Sequence, residues 1–256
     1  MKHLSVLFFI LLYLCGCHSS KRLSADAESL NNAPKVNRKA LQNKGFRVLY
    51  KGEDLSGWQV LAGHRNHWTS KGDLIDYDGK SEEKDKCLWT TESFCDFVLL
   101  IDVRLTRKPE MARSPVILPN GETARNADGT NQEVEIPYNG DTGIYLRGDS
   151  KNQVNIGNRY IGSGEIYGYR VDKTLPAEIR AAVTPKIKAD NPPGEWNRFE
   201  ITMKGSRVWV NLNGRNVVEN ALLPGIASCG KIALQDDHAT NNTCQFANIY
   251  IKTLTE

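Results

Sequence analysis

The feature that most limits the fold of this chain is a succession of short apolar and polar alternations, each closed by a turn residue, with helical periodicity almost absent. Strand character appears at Phe46 to Tyr50, Leu74 to Tyr77, Phe97 to Leu105, Gly143 to Arg147, Gln153 to Ile156 and Ile166 to Tyr169, then at Phe199 to Lys204, Val208 to Leu212, Lys231 to Gln235 and Gln245 to Lys252. Gly, Asn, Asp and Pro bound these segments, and period-two alternation between such stops marks antiparallel strands. Many short strands without intervening helices predict an all-β fold, a jelly-roll sandwich of two antiparallel sheets. Asn213-Gly214 and Gly205 supply tight turns, so Phe199 to Glu219 reads as a meander. Two proline-rich stretches break the pattern. Lys108 to Asn139 is predicted to be a long functional loop, and Val171 to Trp196 has room for a short helix at Ala177 to Ala182.

The start of the chain has another character. Met1-Lys2-His3, the apolar run Leu4 to Leu14 and then Cys15-Gly16-Cys17 have the charged and apolar regions of an export signal. The ending Leu14-Cys15-Gly16-Cys17 resembles a bacterial lipobox, which implies that Cys17 becomes an acylated N-terminus. A plain secretory signal cleaved nearby is the simpler alternative. Lipidation anchors a protein by acyl chains without a spanning helix, so the expected location is the bacterial cell envelope, on the periplasm-facing outer membrane. Residues 18–44 are rich in Ser, Asn, Ala and Lys and are expected to form a flexible tether, leaving 45–256 as one folded domain. No later apolar run approaches the ~20 residues of a membrane-spanning helix, which excludes a multi-span protein. A 40% hydrophobic content excludes wholesale disorder, and a net charge of +3 with scattered basic residues leaves no electrostatic footprint for nucleic acid.

Once the signal is removed and Cys17 acylated, Cys87, Cys95, Cys229 and Cys244 remain. Their spacing matches no zinc ribbon. The simplest of the three possible pairings joins Cys87 to Cys95 and Cys229 to Cys244.

Alternation also assigns faces, because successive strand side chains point to opposite sides. Ile144, Leu146, Val154, Ile156 and Ile166 form a core-facing set. Tyr145 and Arg147, Gln153 and Asn155, and Glu165, Tyr167 and Tyr169 form the opposite set. Aromatic rings stack on the apolar faces of pyranoses while amides, Arg and carboxylate bond hydroxyls, so this surface suits a sugar; a solvated outer face is the bland reading. Gln235 joins the polar set at a strand end. His238, close behind Asp236 and Asp237, has the composition of a general base or metal ligand, as well as that of an ordinary loop. Glu133 and Glu135 share a face if extended and are candidates for holding a divalent cation.

Several of these segments together carry a family resemblance. Gly45-Phe46-Arg47-Val48-Leu49-Tyr50-Lys51-Gly52-Glu53-Asp54-Leu55-Ser56-Gly57-Trp58 resembles the opening signature of the 3-keto-disaccharide hydrolase domain family. Leu88-Trp89-Thr90, Asp96-Phe97, Gly143 to Gly148, Gly194 to Asn197, Leu212-Asn213-Gly214, Leu234-Gln235 with His238, and Asn248-Ile249 follow in the family's order, over roughly residues 45–253. The resemblance implies a concanavalin A-like jelly roll. It also implies cleavage of glycosides already oxidised to a ketone at C3 by a separate sugar 3-dehydrogenase. The ketone acidifies the C2 proton, so a base generates an enediolate, the C1 substituent leaves, and water adds back. On this reading Arg147, or a bound cation, stabilises the enolate. Glu165 and His238 divide the base and acid roles, and Tyr145, Gln153, Asn155, Tyr167, Tyr169 and Gln235 position the sugar. Many members carry Glu-x-Gln where this chain has Gln153-Val154-Asn155, so Glu135 or Glu165 must supply that carboxylate, or the protein is a non-catalytic lectin-like module. A conventional glycoside hydrolase with paired carboxylates is a third reading. No Gly-x-Gly-x-x-Gly fingerprint precedes a helix, so the oxidation belongs to another protein.

Overall fold

The computed structural model describes residues 33–255 apart from 83, 85 and 237–241. The export signal, Cys17 and His238 therefore lie outside the described residues. Within them, α1 (Arg38–Asn43) precedes β1 (Arg47–Val48), β2 (Trp58–Gln59), β3 (Trp68–Lys71), β4 (Leu74–Tyr77), β5 (Leu88–Thr90) and β6 (Phe97–Leu105). A ribbon of β7 (Glu110–Pro115) and β8 (Glu133–Tyr138) follows, then β9 (Asp141–Leu146) and β10 (Asp149–Gly157). Two short helices, α2 (Tyr167–Val171) and α3 (Ala177–Ala182), lead to the meander β11 (Asn197–Lys204), β12 (Arg207–Leu212) and β13 (Arg215–Leu222). The chain closes with β14 (Ala233–Leu234) and β15 (Cys244–Thr253).

The strands form two antiparallel sheets. The larger runs β13-β12-β11-β6-β15-β4-β3 with β1 beside β15, and the smaller runs β10-β9-β14-β5-β2. Their inner faces share one core. Phe97, Leu99, Ile101, Phe199, Ile201 and Phe246 come from the larger sheet, and Leu88, Ile144, Leu146, Val154 and Leu234 from the smaller; all are essentially inaccessible to water. Each such side chain contributes roughly 1.5–3 kcal/mol on burial, and the inward alternation that supplies them makes the jelly roll.

Four expectations change. First, Lys108 to Asn139 is not a plain loop: β7 and β8 pair in register from Glu110↔Tyr138 to Pro115↔Glu133. The ribbon's tip is tied to the body by Glu122, which accepts from Lys173 and Arg180. Second, Ile166 to Tyr169 is not a strand. It touches Val154 through one isolated bridge and then turns into α2, where Gly168 lies so close to Lys151 that an added Cβ would stand 2.4 Å from its carbonyl oxygen. Third, the disulfide joins Cys95 to Cys229, while Cys87 and Cys244 are buried thiols. The cause is the adjoining bridge: Phe94 and Gly230 exchange both backbone hydrogen bonds, which sets their chain neighbours Cys95 and Cys229 face to face. Fourth, the end of the expected tether carries α1 and contacts the body, where Asn248 donates to the Pro34 carbonyl at 2.6 Å and Arg38 pairs with Asp73 at 2.8 Å.

Candidate functional site

The smaller sheet turns its second face outward, and its register sets the residues there in rows. Gln153 pairs with Tyr145, Tyr145 with Ala233, Ala233 with Trp89 and Trp89 with Gln59. In the next row Asn155 pairs with Gly143, whose carbonyl accepts from the Gln235 amide at 2.9 Å. One step further Gly157 pairs with Asp141.

Gly143 is what lets the amides meet. A Cβ there would stand 2.6 Å from Gln153 Nε2 and 2.7 Å from Gln235 Oε1. In its absence Gln153 Nε2 donates to Gln235 Oε1 at 2.6 Å over the bare glycine. Asn155 Nδ2 donates to Glu165 Oε1 at 2.9 Å, and Arg170 from α2 pairs with the other oxygen, Oε2. Buried polar groups need such partners. Glu165, 1% exposed, meets that need behind Asn155.

Gln153, Asn155, Gln235, Asp141, Arg159 and Tyr167 together line a depression of about 150 Å³. Arg159 is its cation. Burial works against the guanidinium's charge, but its ion pair with Asp141 more than compensates, so its pKa is raised and it stays charged at any working pH. Tyr167 is 40% exposed and stands beside the Arg170 guanidinium, 5.6 Å from its ring centroid. An arrangement of three amides, one fixed cation, one carboxylate and one phenol can orient a polyhydroxylated ring and stabilise negative charge on one of its oxygens.

The sequence-derived residues divide accordingly. Gln153, Asn155, Gln235 and Tyr167 line the depression, Tyr145 adjoins it in the first row, and Glu165 sits directly beneath. Tyr169 does not join them, because helical geometry turns it into the core, where its hydroxyl donates to the Pro224 carbonyl at 3.2 Å. Arg147 is also elsewhere. Alternation ends at Leu146, Arg147 enters the β9–β10 turn with φ +52°, and its guanidinium is spent on the carbonyls of Cys95, Gly205 and Ala227 and on Asp96. Enolate stabilisation at the depression therefore cannot come from it. Glu135 is exposed on the ribbon, in register with Arg113, and does not line the depression. Asp236 turns inward to accept from the Tyr77 hydroxyl. Among the described residues no three His, Cys, Asp or Glu side chains converge as ligands for a cation.

Asp141, Arg159 and Arg170 were missed. Two were reachable by extending the same alternation, since 141, 143 and 145 share a face, and 153, 155 and 157 continue toward 159.

Comparison with known proteins bears on the family and the fold. The family model described as the 3-keto-alpha-glucoside-1,2-lyase-like domain matches residues 45–252. No curated protein matches. Among solved structures, three from Parabacteroides distasonis, provisionally described as glycosyl hydrolases, share the fold. One has 19% identity and TM-score 0.55 over 82% of this chain and 84% of its own. Another has 18% identity and TM-score 0.55 over 86% and 99%, and the third 18% and 0.52 over 82% and 99%.

Proposed function

This chain belongs to the 3-keto-alpha-glucoside-1,2-lyase-like family, whose business is carbohydrate, and from that premise we propose that it cleaves the glycosidic bond of 3-keto-glycosides by elimination and hydration. A base removes the C2 proton, and the C–H electron pair moves toward the C3 carbonyl to give an enediolate. Collapse of the enediolate expels the C1 oxygen, which takes up a proton and departs as the alcohol. Water then adds across the C1–C2 double bond and restores the 3-keto sugar.

The observation that carries the reading is the pairing of a fixed cation with a carboxylate in a depression floored by amides. Arg159 takes the enolate oxygen at C3, where the charge develops and where a preorganised cation contributes most. Asp141, which holds Arg159 and lines the same depression, takes the C2 proton. Glu165 is walled off behind Asn155 and paired with Arg170, so it positions the Asn155 amide. His238, three residues beyond Gln235 in the chain, is assigned as the acid for the leaving oxygen. The substrate comes from a sugar 3-dehydrogenase, and Cys17 tethers the enzyme in the cell envelope.

The test is release of nitrophenol from nitrophenyl 3-keto-glucoside against the unoxidised glucoside, with and without chelator. Release from the keto sugar alone supports the mechanism, and chelator sensitivity adds a cation to it. The amide of Gln153, standing where the resemblance implies a carboxylate, favours a second reading, a lectin-like binding module. Sugar binding without turnover of either substrate, and unchanged in Asp141→Asn, selects that module.

A further inference from the structure

The scatter of charge along this chain has one exception. Residues 33–52 hold six of its 33 Lys and Arg, at Lys35, Arg38, Lys39, Lys44, Arg47 and Lys51, and none of its 30 Asp and Glu. Everything outside that segment has 27 Lys and Arg against 30 Asp and Glu, so the whole positive balance of the protein resides in it. The fold carries the segment to the far side of the sandwich from the depression. Val48 of β1 pairs with Tyr250 of β15, and Tyr250 points away from the core that Ile249 and Ile251 enter. On this outer face of the larger sheet Arg38 and Gln42 of α1 join Val48, Lys51, Asn248 and Tyr250 around a cavity of about 200 Å³. Arg38 and Arg47 are neutralised, by Asp73 at 2.8 Å and Glu92 at 2.5 Å. Lys35, Lys39, Lys44 and Lys51 are exposed and have no carboxylate partner among the described residues. The described chain begins beside the cavity, where Asn248 Nδ2 donates to the Pro34 carbonyl at 2.6 Å. Cys17 precedes Ala33 by only 16 residues, a reach of at most about 55 Å.

We propose that this face docks on an anionic phospholipid bilayer, with Lys35, Lys39, Lys44 and Lys51 over headgroup phosphates and one headgroup seated in the cavity. The bilayer is the one to which Cys17 tethers the protein, so the proposal rests on the anchoring given above. Acyl chains alone hold the body near the membrane and leave it free to turn. The basic face fixes the orientation, and because the depression lies on the outer face of the opposite sheet, it is held open to the aqueous side where a soluble sugar arrives. Each Lys near an anionic surface contributes about a factor of five in binding, and salt screens the attraction.

The experiment uses the mature chain with Cys17→Ser, which carries no acyl anchor, and measures its sedimentation with vesicles of phosphatidylethanolamine and phosphatidylglycerol or of phosphatidylcholine alone. Lysine acetylation with and without vesicles, read by mass spectrometry, maps the face that is covered. Binding is expected to the anionic vesicles only and to weaken with salt. The triple variant Lys35→Gln, Lys39→Gln, Lys44→Gln should lose about a hundredfold in affinity, while Lys108→Gln, Arg113→Gln, Arg125→Gln, which removes the same charge on and beside the ribbon, stays within about twofold. Vesicles should shield Lys35, Lys39, Lys44 and Lys51 from acetylation and leave Lys108 reactive. No binding to anionic vesicles, or equal losses in the two triple variants, overturns the docking face. So does shielding of Lys108 in place of the four, a result that needs no variant to fold. Heparin beads that retain the protein as tightly as the vesicles do would show a general polyanion site and overturn the assignment to lipid. Native protein without acyl chains on Cys17 defeats the anchor instead, and the vesicle comparison still decides the surface.

Discussion

Replacing Gly143 by Ala tests the site where its geometry is tightest. The new Cβ would lie 2.6 Å from Gln153 Nε2, 2.7 Å from Gln153 Cγ and 2.7 Å from Gln235 Oε1, well inside the ~3.5 Å of ordinary contact. Gly143 is not in the left-handed region, so the backbone tolerates alanine and the strain falls on the two amides. They swing apart and lose their 2.6 Å hydrogen bond. That loss and modest overpacking come to about 2 kcal/mol, a drop in Tm of roughly 4–8 °C for a domain of this size. Binding suffers more, because both amides that face the sugar move, and KM for a 3-keto-glycoside is expected to rise at least tenfold. Thermal melts and steady-state kinetics on the same preparation check this. Loss of stability with KM unchanged would refute the assignment of the amide row to substrate. Gly168→Ala is the contrast, since its Cβ would meet Lys151 backbone at 2.4 Å and 2.7 Å, which cannot swing away. It should destabilise the fold more than Gly143→Ala in the same melts.

Three further outcomes follow from particular contacts. Arg147→Met leaves three carbonyls and Asp96 without their donor, and denaturant titration should show a loss of about 3–5 kcal/mol, while kcat per folded molecule stays unchanged; a collapse of kcat with stability intact would return Arg147 to the reaction. Opening Cys95–Cys229, whose sequence separation is 134, removes a loop constraint worth up to about 5 kcal/mol by chain entropy, so the double Ala variant should melt well below wild type, and an unchanged Tm would contradict the bridge. Asp172 is held down to about 2 by Lys151 and then by the Thr174 hydroxyl and amide. Its contribution is complete above the ordinary carboxylate value near 4 and lost as pH falls through 2. The Tm difference between wild type and Asp172→Asn should therefore shrink across that window, and a constant difference would refute the linkage.

Strand alternation makes most of the fold legible in the sequence. Leu74–Tyr77, Phe97–Leu105 and the helix Ala177–Ala182 lie where the pattern places them, because in each the local preference and the core demand the same geometry. The amide floor was legible for the same reason. Alternation fails where tertiary contact overrides it: at Glu165 to Tyr169, where close packing of Gly168 on Lys151 admits a helix, and at Arg147, where a turn ends the strand. Asp141 and Arg159 each lie within reach of the same alternation, but their ion pair forms only when β9 and β10 pair. The disulfide was hidden likewise, since the bridge between Phe94 and Gly230 is a tertiary fact. The ribbon β7–β8 reads as a loop because its prolines and charges carry no period of two, and cross-strand pairing such as Arg113↔Glu135 forms it nonetheless.

The central claim is that bond cleavage passes through removal of the C2 proton, and the most direct measurement is the isotope content at C2 of the product formed early in turnover of a 3-keto-glycoside in deuterated water. The account predicts one solvent deuterium at C2, incorporated at the rate of cleavage and above uncatalysed exchange, and its loss along with turnover in Asp141→Asn. Cleavage with the C2 hydrogen retained would contradict it.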